Sequence, residues 1–302
     1  MTGIVNTGSF GKALWPGINT WYGKKYDEYP VEYTSLYDHN NTRRHYEEDV
    51  GTVGLGLAKV KSEGAPVEYE GERQGFITRY VPVEYALGFI ITEIMYEDDL
   101  YGIVGQKRSE ALAFSMRQTK EIVGANVYNR AFTSGYVGGD GVTLCNASHP
   151  NISGGTWSNT ASADLSELAL EQACIAISKW TDDKGLKIKV TPKSLHIPVE
   201  LEFNACRILK SDGRVGTADN DLNALKSLGK FQNGAISSNY FTDANNWFIR
   251  TDVSDGMKYM ERRGDYFKME DEFDTSNAKY KSAGRYVFGW TDPRAVYGSE
   301  AA

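Results

Sequence analysis

Apolar and polar residues follow different periods in different parts of this 302-residue chain. The clearest block runs from Ile103 to Phe132. There Leu112, Met116, Val123, Val127 and Ala131 recur at steps of four and seven, while Lys107, Arg108, Glu110, Arg117, Lys120 and Arg130 lie largely off that face. This spacing predicts one amphipathic helix of about thirty residues, a rod of roughly 45 Å where the mean helix has about 11–12 residues. A second helix is predicted from Asp164, with Glu167 completing a capping-box pattern. Leu165, Leu168, Ala169, Ala173, Ala176 and Trp180 form its apolar face, and the turn at Thr181–Gly185 stops it. A third helix is predicted over Glu200–Ser211.

Elsewhere the period is shorter. Two β-prone runs, Val50–Lys61 and Pro66–Tyr85, flank the turn Ser62-Glu63-Gly64-Ala65-Pro66 and predict a long projecting hairpin. The segment Ala86–Gly102 reads as a buried strand that ends in an acidic helix start at Glu97, Asp98 and Asp99. Ser194–Val199, Asn245–Asp252 and Gly284–Trp290 read as strands. The first forty-odd residues show no period of 3.6. They predict an extended arm whose Trp15, Trp21, Tyr22, Tyr26, Tyr29, Tyr33 and Tyr37 need a surface to lie on, such as that of a neighbouring subunit. Helices and strands alternate only loosely, which predicts α+β rather than a doubly wound sheet.

Composition narrows the function. A net charge of −7 argues against tight, sequence-independent gripping of nucleic acid by a basic face. No signal peptide opens the sequence, and its most apolar run, Tyr85–Ile91, is far shorter than the roughly 20 residues of a membrane span. The three cysteines, Cys145, Cys174 and Cys206, are odd in number and widely spaced, unlike a disulfide framework or a zinc knuckle, and fit a reducing cytosol.

The segment Gly141–Pro150 is where chemistry would be sought, because Cys145 stands four residues before His149 and five after Asp140. A nucleophilic cysteine needs a base in reach and a group to orient that base, and a loop provides no helical phase to bring them together. A metal site built on Asp140, Cys145 and His149 lacks a fourth ligand, since His39, His45 and His196 sit in separate segments. The glycines at 51, 54 and 56 fail the dinucleotide pattern, because Lys59 stands where its third glycine should be. The residues therefore predict no catalytic, cofactor-binding or metal-binding site. A cysteine-dependent hydrolase using Cys145 and His149 stands as the alternative.

Several segments in order resemble the major capsid, or major head, proteins of tailed bacteriophages. They are Glu68–Gly102, the long helix ending in Gly124–Phe132, Gly138–Asn159, Ala163–Ala173, Thr191–Ser211, Phe241–Ile249 and Gly289–Ser299. The resemblance implies the Hong Kong phage-type capsid fold, an α+β fold. It implies an N-arm (1–48), an extended β-hairpin loop (49–82) and a peripheral domain (83–160) with a spine helix at about 102–132. An axial domain (161–253) and a return to the peripheral domain (254–302) complete the division. It further implies self-assembly as hexamers and pentamers into an icosahedral virion shell around double-stranded DNA, touched only weakly, in the host bacterial cytoplasm. Portal and scaffolding proteins would be partners, with cement or decoration proteins a further class, and no membrane is involved. The arm starts near Met1 with no long charged helix before it, so a separate scaffolding protein is expected. Lys59 and Lys61 lie where some members form covalent crosslinks, yet no motif names a partner, so none is expected.

Overall fold

The computed structural model describes residues 11–64, 66–92, 94, 95, 98, 103–213, 221–272 and 277–301, without the side chains of 11–17 and 271. The acidic helix start at Glu97 and Asp99 lies outside the described residues. In chain order the helices are α1 (Gly11–Glu28), α2 (Tyr33–Leu36), α3 (Ile103–Asn129), α4 (Glu167–Ser178), α5 (Glu202–Lys210) and α6 (Ala224–Ser227). The strands are β1 (Asp38–Asn41), β2 (Glu47–Val53), β3 (Arg73–Tyr80), β4 (Val83–Ile91), β5 (His149–Pro150), β6 (Thr156–Trp157) and β7 (Thr160–Ala161). They continue with β8 (Pro192–Pro198), β9 (Ala235–Ser238), β10 (Trp247–Thr251), β11 (Met257–Asp271), β12 (Ala278–Trp290) and β13 (Val296–Ser299).

Two large sheets organise these elements. The first has the order β1-β11-β12-β4, with β11 and β12 forming a long antiparallel pair and β1 joining parallel to β11. The second has the order β7-β13-β10-β8-β9. Helix α3 lies on the first sheet, and Leu112 and Met116 pack there with Ile91, Phe267 and Tyr280. Its 27 residues make a rod of about 40 Å. Helices α4, α5 and α6 close over the second sheet, around Leu170, Ile177, Leu195, Ile197, Trp247 and Ile249.

The extended-arm reading of the N-terminus is overturned, because residues 11–28 are helical and lie on α3 of the same chain. The apolar spacing is present after all in Ile18, Tyr22 and Tyr26. Gly11, Pro16, Gly17 and Gly23 hide it by lowering intrinsic helix propensity, so tertiary packing must stabilise the helix instead. Tyr22 stacks on Phe267 at 4.6 Å and its hydroxyl meets Ser282 Oγ at 2.7 Å. Tyr26 Oη donates to Asp265.

That coverage changes the polar face of α3. Arg117 and Lys120, expected off the packed face, are buried, because α1 and the sheet enclose both sides of the helix. Lys120 Nζ sits 2.9 Å from Asp265 Oδ2 and 3.7 Å from Glu261 Oε2, while Arg117 Nε is 3.5 Å from Glu121 Oε1. Glu121 also accepts the backbone N–H of Tyr33 at 2.9 Å, which ties α2 to α3.

Further expectations are corrected. Strand β4 is largely exposed rather than buried, with Val83, Leu87 and Ile90 open, because it is an edge strand paired only with β12. Helix α4 is capped by Ser166, whose side chain accepts from the N–H of Ala169, rather than by Asp164. Its buried face runs through Leu170, Ala173, Cys174 and Ile177, which leaves Leu168 exposed. The hairpin exists as β2 paired with β3, yet residues 54–64 and 66–72 carry no ladder, so the regular part is shorter than the two β-prone runs. The C-terminal segment divides: β11 and β12 belong to the first sheet, whereas β13 pairs with β10 and β7 in the second.

Replacing Lys120 with Met strips the buried Asp265 carboxylate of its cation. Lys120→Met is expected to lower the unfolding free energy by about 3 kcal/mol or more, read from guanidinium midpoints. Lys24→Met, on the exposed side of α1, should stay within about 0.5 kcal/mol of the parent. Equal midpoints for the two variants would show that the buried charge pair contributes nothing.

Candidate functional site

Residues 133–160 carry the chain from the end of α3 to the second sheet, and the residues singled out for chemistry lie here. Cys145 N–H donates to Ala131 O at 2.9 Å, which fastens the segment to the end of the helix. Leu144 and Cys145 are buried beside Tyr128, Phe248 and Val296. The sulfur lies so close to β13 that a Cβ on Gly298 would stand 2.6 Å from it, so only glycine fits there. Burial pushes the thiol of Cys145 far above its ordinary pKa, away from thiolate character.

His149 is fully buried, and both ring nitrogens are engaged. Nδ1 lies 2.6 Å from Asp140 Oδ2 and Nε2 lies 3.0 Å from Asn159 Oδ1. The Asn159 amide cannot be turned over. Its Oδ1 accepts the N–H of Asn146 at 2.8 Å, while its Nδ2 faces the carbonyls of Leu144, Val296 and Pro293 at 2.8, 3.0 and 3.1 Å. The imidazole also stacks on Trp157 at 4.6 Å, and the Arg294 guanidinium covers Trp157 at 4.5 Å. His149 therefore has no nitrogen left to serve a thiol as base. The structure brings Asp140 and His149 together and leaves Cys145 in an apolar pocket, which removes the geometric basis of the cysteine-hydrolase alternative. No group of three or more His, Cys, Asp or Glu side chains among the described residues could hold a metal ion.

Asn159 is the centre of this network and had no signal in the sequence, where it is one polar residue among Ser158 and Thr160. The remaining histidines are dispersed. His39, on β1, stacks on Tyr259 at 4.9 Å, and His45 is exposed. His196, on β8, is buried with Nε2 2.9 Å from Ser194 Oγ, and its Nδ1 has no hydrogen-bond partner. Desolvation lowers its pKa to about 3.

The other unusual surface is the hairpin. At its base, a Cβ on Gly139 would stand 2.7 Å from Ile77 O, so the connector and β3 touch backbone to backbone. Beyond the ladder, Leu57, Val60 and Tyr69 are more than four-fifths exposed, and Leu55 and Val67 more than half. Lys59 pairs with Glu68 at 2.7 Å, and Glu70 accepts the N–H of Gly56 at 2.7 Å and pairs with Lys184 of the turn after α4. Lone exposed apolar residues are ordinary, whereas this many on one projecting segment mark an interaction surface.

The model of the family described as phage capsid protein matches residues 76–299. Among solved structures, the chain is similar to one from Mycobacterium phage Adephagia at 13% identity, covering 89% of each chain with a TM-score of 0.54. It is similar to the bacteriophage PhiM1 mature capsid at 7% identity, covering 91% of this chain and 88% of that one with a TM-score of 0.55. A virus-like particle from Pyrococcus furiosus aligns at 10% identity over 94% of this chain and 98% of its own, with a TM-score of 0.54. No curated protein matches by sequence.

Two measurements follow from the buried groups. A thiol reagent applied to the native protein should modify exposed Cys206 and reach Cys145 and Cys174 only on unfolding, and fast native labelling of Cys145 would contradict its burial. His196 titrates near 6.5 when unfolded and about 3 when folded. Between those values the unfolded chain binds a proton that the fold excludes, so stability falls as pH drops from about 6.5 towards about 3, by up to about 1.4 kcal/mol per pH unit. His196→Gln should flatten that loss in denaturant midpoints taken near pH 7 and near pH 5, and an unchanged slope would assign it to other groups.

Proposed function

Because the chain belongs to the phage capsid protein family and is a major capsid protein of the Hong Kong phage-type fold, we propose that it builds its icosahedral head from hexamers and pentamers enclosing double-stranded DNA. The observation that carries the reading is the hairpin, whose exposed Leu55, Leu57, Val60, Val67 and Tyr69 are left uncovered by the described residues. Burying apolar surface yields about 25 cal/mol per Å², so leaving it in water is unfavourable for an isolated subunit and favourable once a second copy covers it.

On this reading residues 1–48 are the N-arm, folded back as α1, and residues 49–82 are the extended loop. Residues 83–160 with α3 as spine helix, and the strands β11 and β12, form the peripheral domain. Residues 161–253 form most of the axial domain, to which β13 adds a strand. The loop 211–223, whose centre lies outside the described residues, belongs to the part that meets at the capsomer centre. The protein works by assembly rather than by turnover. Assembly takes place in the host cytoplasm with portal and scaffolding proteins, and without covalent crosslinks through Lys59 or Lys61. No described helix is long and apolar enough to cross a membrane.

Purified wild-type protein should form homogeneous polyhedral particles in negative-stain images. Leu57→Asp combined with Val60→Asp should keep the far-ultraviolet dichroism of the parent and lose the particles, since exposed positions tolerate charge in the subunit but not in a covered contact. Shells formed by the variant as readily as by the parent would sink the assigned role of the hairpin. A wild-type protein that stays a small oligomer would sink the shell itself.

A further inference from the structure

The net charge of −7 conceals a local exception. Between the turn after α4 and the first residues of β8 burial alternates from one residue to the next. Ile188 and Val190 pack on the second core and Pro192 is buried, while Lys187, Lys189 and Lys193 are exposed. The inward set fixes the register, so the three lysines share one face at steps of about 7 and about 13 Å along the backbone.

Among the described residues, none of these three ammonium groups has a carboxylate within ion-pair distance. Other lysines do: Lys59 pairs with Glu68, Lys226 with Asp212, Lys258 with Asp49 and Lys279 with Glu272. Lys184, at the near end of the segment, is taken by Glu70. Three carboxylates stand beside the row: Asp182, in the turn that bridges to Lys187, accepts the N–H of Lys184 at 2.9 Å and of Leu186 at 2.8 Å, Asp183 lies 3.6 Å from Arg294 Nη2, and the third is Asp252. It is held by Thr191, which donates to it from N–H at 2.7 Å and from Oγ1 at 2.6 Å. Asp252 moderates the positive potential near Lys193 without forming an ion pair with it.

We propose that Lys187, Lys189 and Lys193 form a strip that contacts the phosphates of double-stranded DNA, an inference that rests on the reading of the protein as a DNA-enclosing shell. Lysines on flexible stems meet phosphates as point charges and need no fixed geometry, which suits contact with any sequence. Duplex DNA offers one charge per about 1.7 Å of axis, so a row of cations finds phosphates in every register. Only Thr191 is exposed between the lysines, so the row itself has no apolar pocket of the kind that anchors a peptide. Three exposed contacts are weak and reversible, and repetition over many subunits multiplies them without making any single one hard to release.

The test uses full-length unassembled protein and a labelled random-sequence duplex, with affinity read by anisotropy between about 50 and about 200 mM salt. Lys187→Gln, Lys189→Gln and Lys193→Gln together should reduce the log–log salt slope by about 2 to 3, at about 0.9 per phosphate contact. The matching triple Lys→Arg variant should keep the slope. A charge-matched control, Lys24→Gln, Lys61→Gln and Lys107→Gln, should also keep it, because net charge is then not the cause. Equal slopes for the two Gln triples would overturn the strip. So would loss of polyglutamate binding with DNA binding intact, which would reassign the row to an acidic protein. Particle images of the same preparations judge the shell reading separately: a wild type without particles refutes the shell, whereas the slope difference speaks only to the strip.

Discussion

Strand β10 is the wall on which both halves of the molecule depend. All of its residues are buried, and because strand side chains alternate, its two faces serve different cores. Trp247 and Ile249 enter the core under α4 and α5, whereas Phe248 packs with Tyr128, Leu144, Cys145 and Phe288. Arg250, on the same face as Phe248, donates to Ser35 O at 2.9 Å and to Asp38 Oδ1 at 2.6 Å, so the second sheet reaches across to α2 and to the start of β1. A strand buried on both sides cannot slip by one residue without placing Arg250 in an apolar core and exposing the hydrogen-bonded partners it left. The two large sheets therefore hold a fixed mutual position through one five-residue element.

The connector completes that joint from the other side. Asn159 binds carbonyls from residue 144 in the connector and from residues 293 and 296 at the chain end, and it presents its oxygen to His149. Asp140, His149 and Asn159 thus do structurally what an acid–base triad does chemically, namely fix an imidazole in one orientation. The difference is that no reactive atom and no solvent reach the ring, because Trp157 covers one face and the ring is fully buried. Buried polar networks of this kind specify one arrangement when every member is satisfied. Here the arrangement specified is the path of the chain between two cores, which is why the most reactive-looking residues of the sequence are its least available ones.

What was legible in the sequence follows the strength of local patterning. The long helix is found because its apolar stripe repeats over many turns, and Asn245–Asp252 is found because Trp247-Phe248-Ile249 is an unbroken run of bulky, β-prone residues, as a strand buried on both faces requires. Helix α1 was hidden by its glycines and Pro16, and the burial of Arg117 and Lys120 could not be seen, because it depends on α1 and β11 arriving from far along the chain. The face of α4 is legible in Leu165, Ala169, Ala173, Ala176 and Trp180, which lie in or against the core, and only Leu168 departs, because Leu170 and Ile177 centre the buried face. Asn159 left no trace, since one asparagine among polar neighbours carries no period. Long-range partners decide these cases, and a single sequence encodes them only jointly.

The exposed features follow a common logic on the proposed reading. The hairpin is rigid where β2 and β3 pair and where Gly139 admits Ile77, and it has no ladder where its apolar residues are exposed. A segment without its own ladder leaves backbone groups and apolar side chains to be satisfied by whatever it lies on, so its shape is set by the neighbour rather than by the subunit. Edge strand β4, with Leu87 and Ile90 open, poses the same problem on the body of the molecule. An isolated subunit leaves both surfaces in water, and neither can cover the other wherever the pairing of Glu70 with Lys184 keeps the hairpin against the second half of its own chain. On the proposed reading another copy relieves both at once, and each copy then presents a fresh hairpin and a fresh edge to the next. A heterologous contact of that kind propagates until symmetry closes it, which is the geometric requirement for a shell.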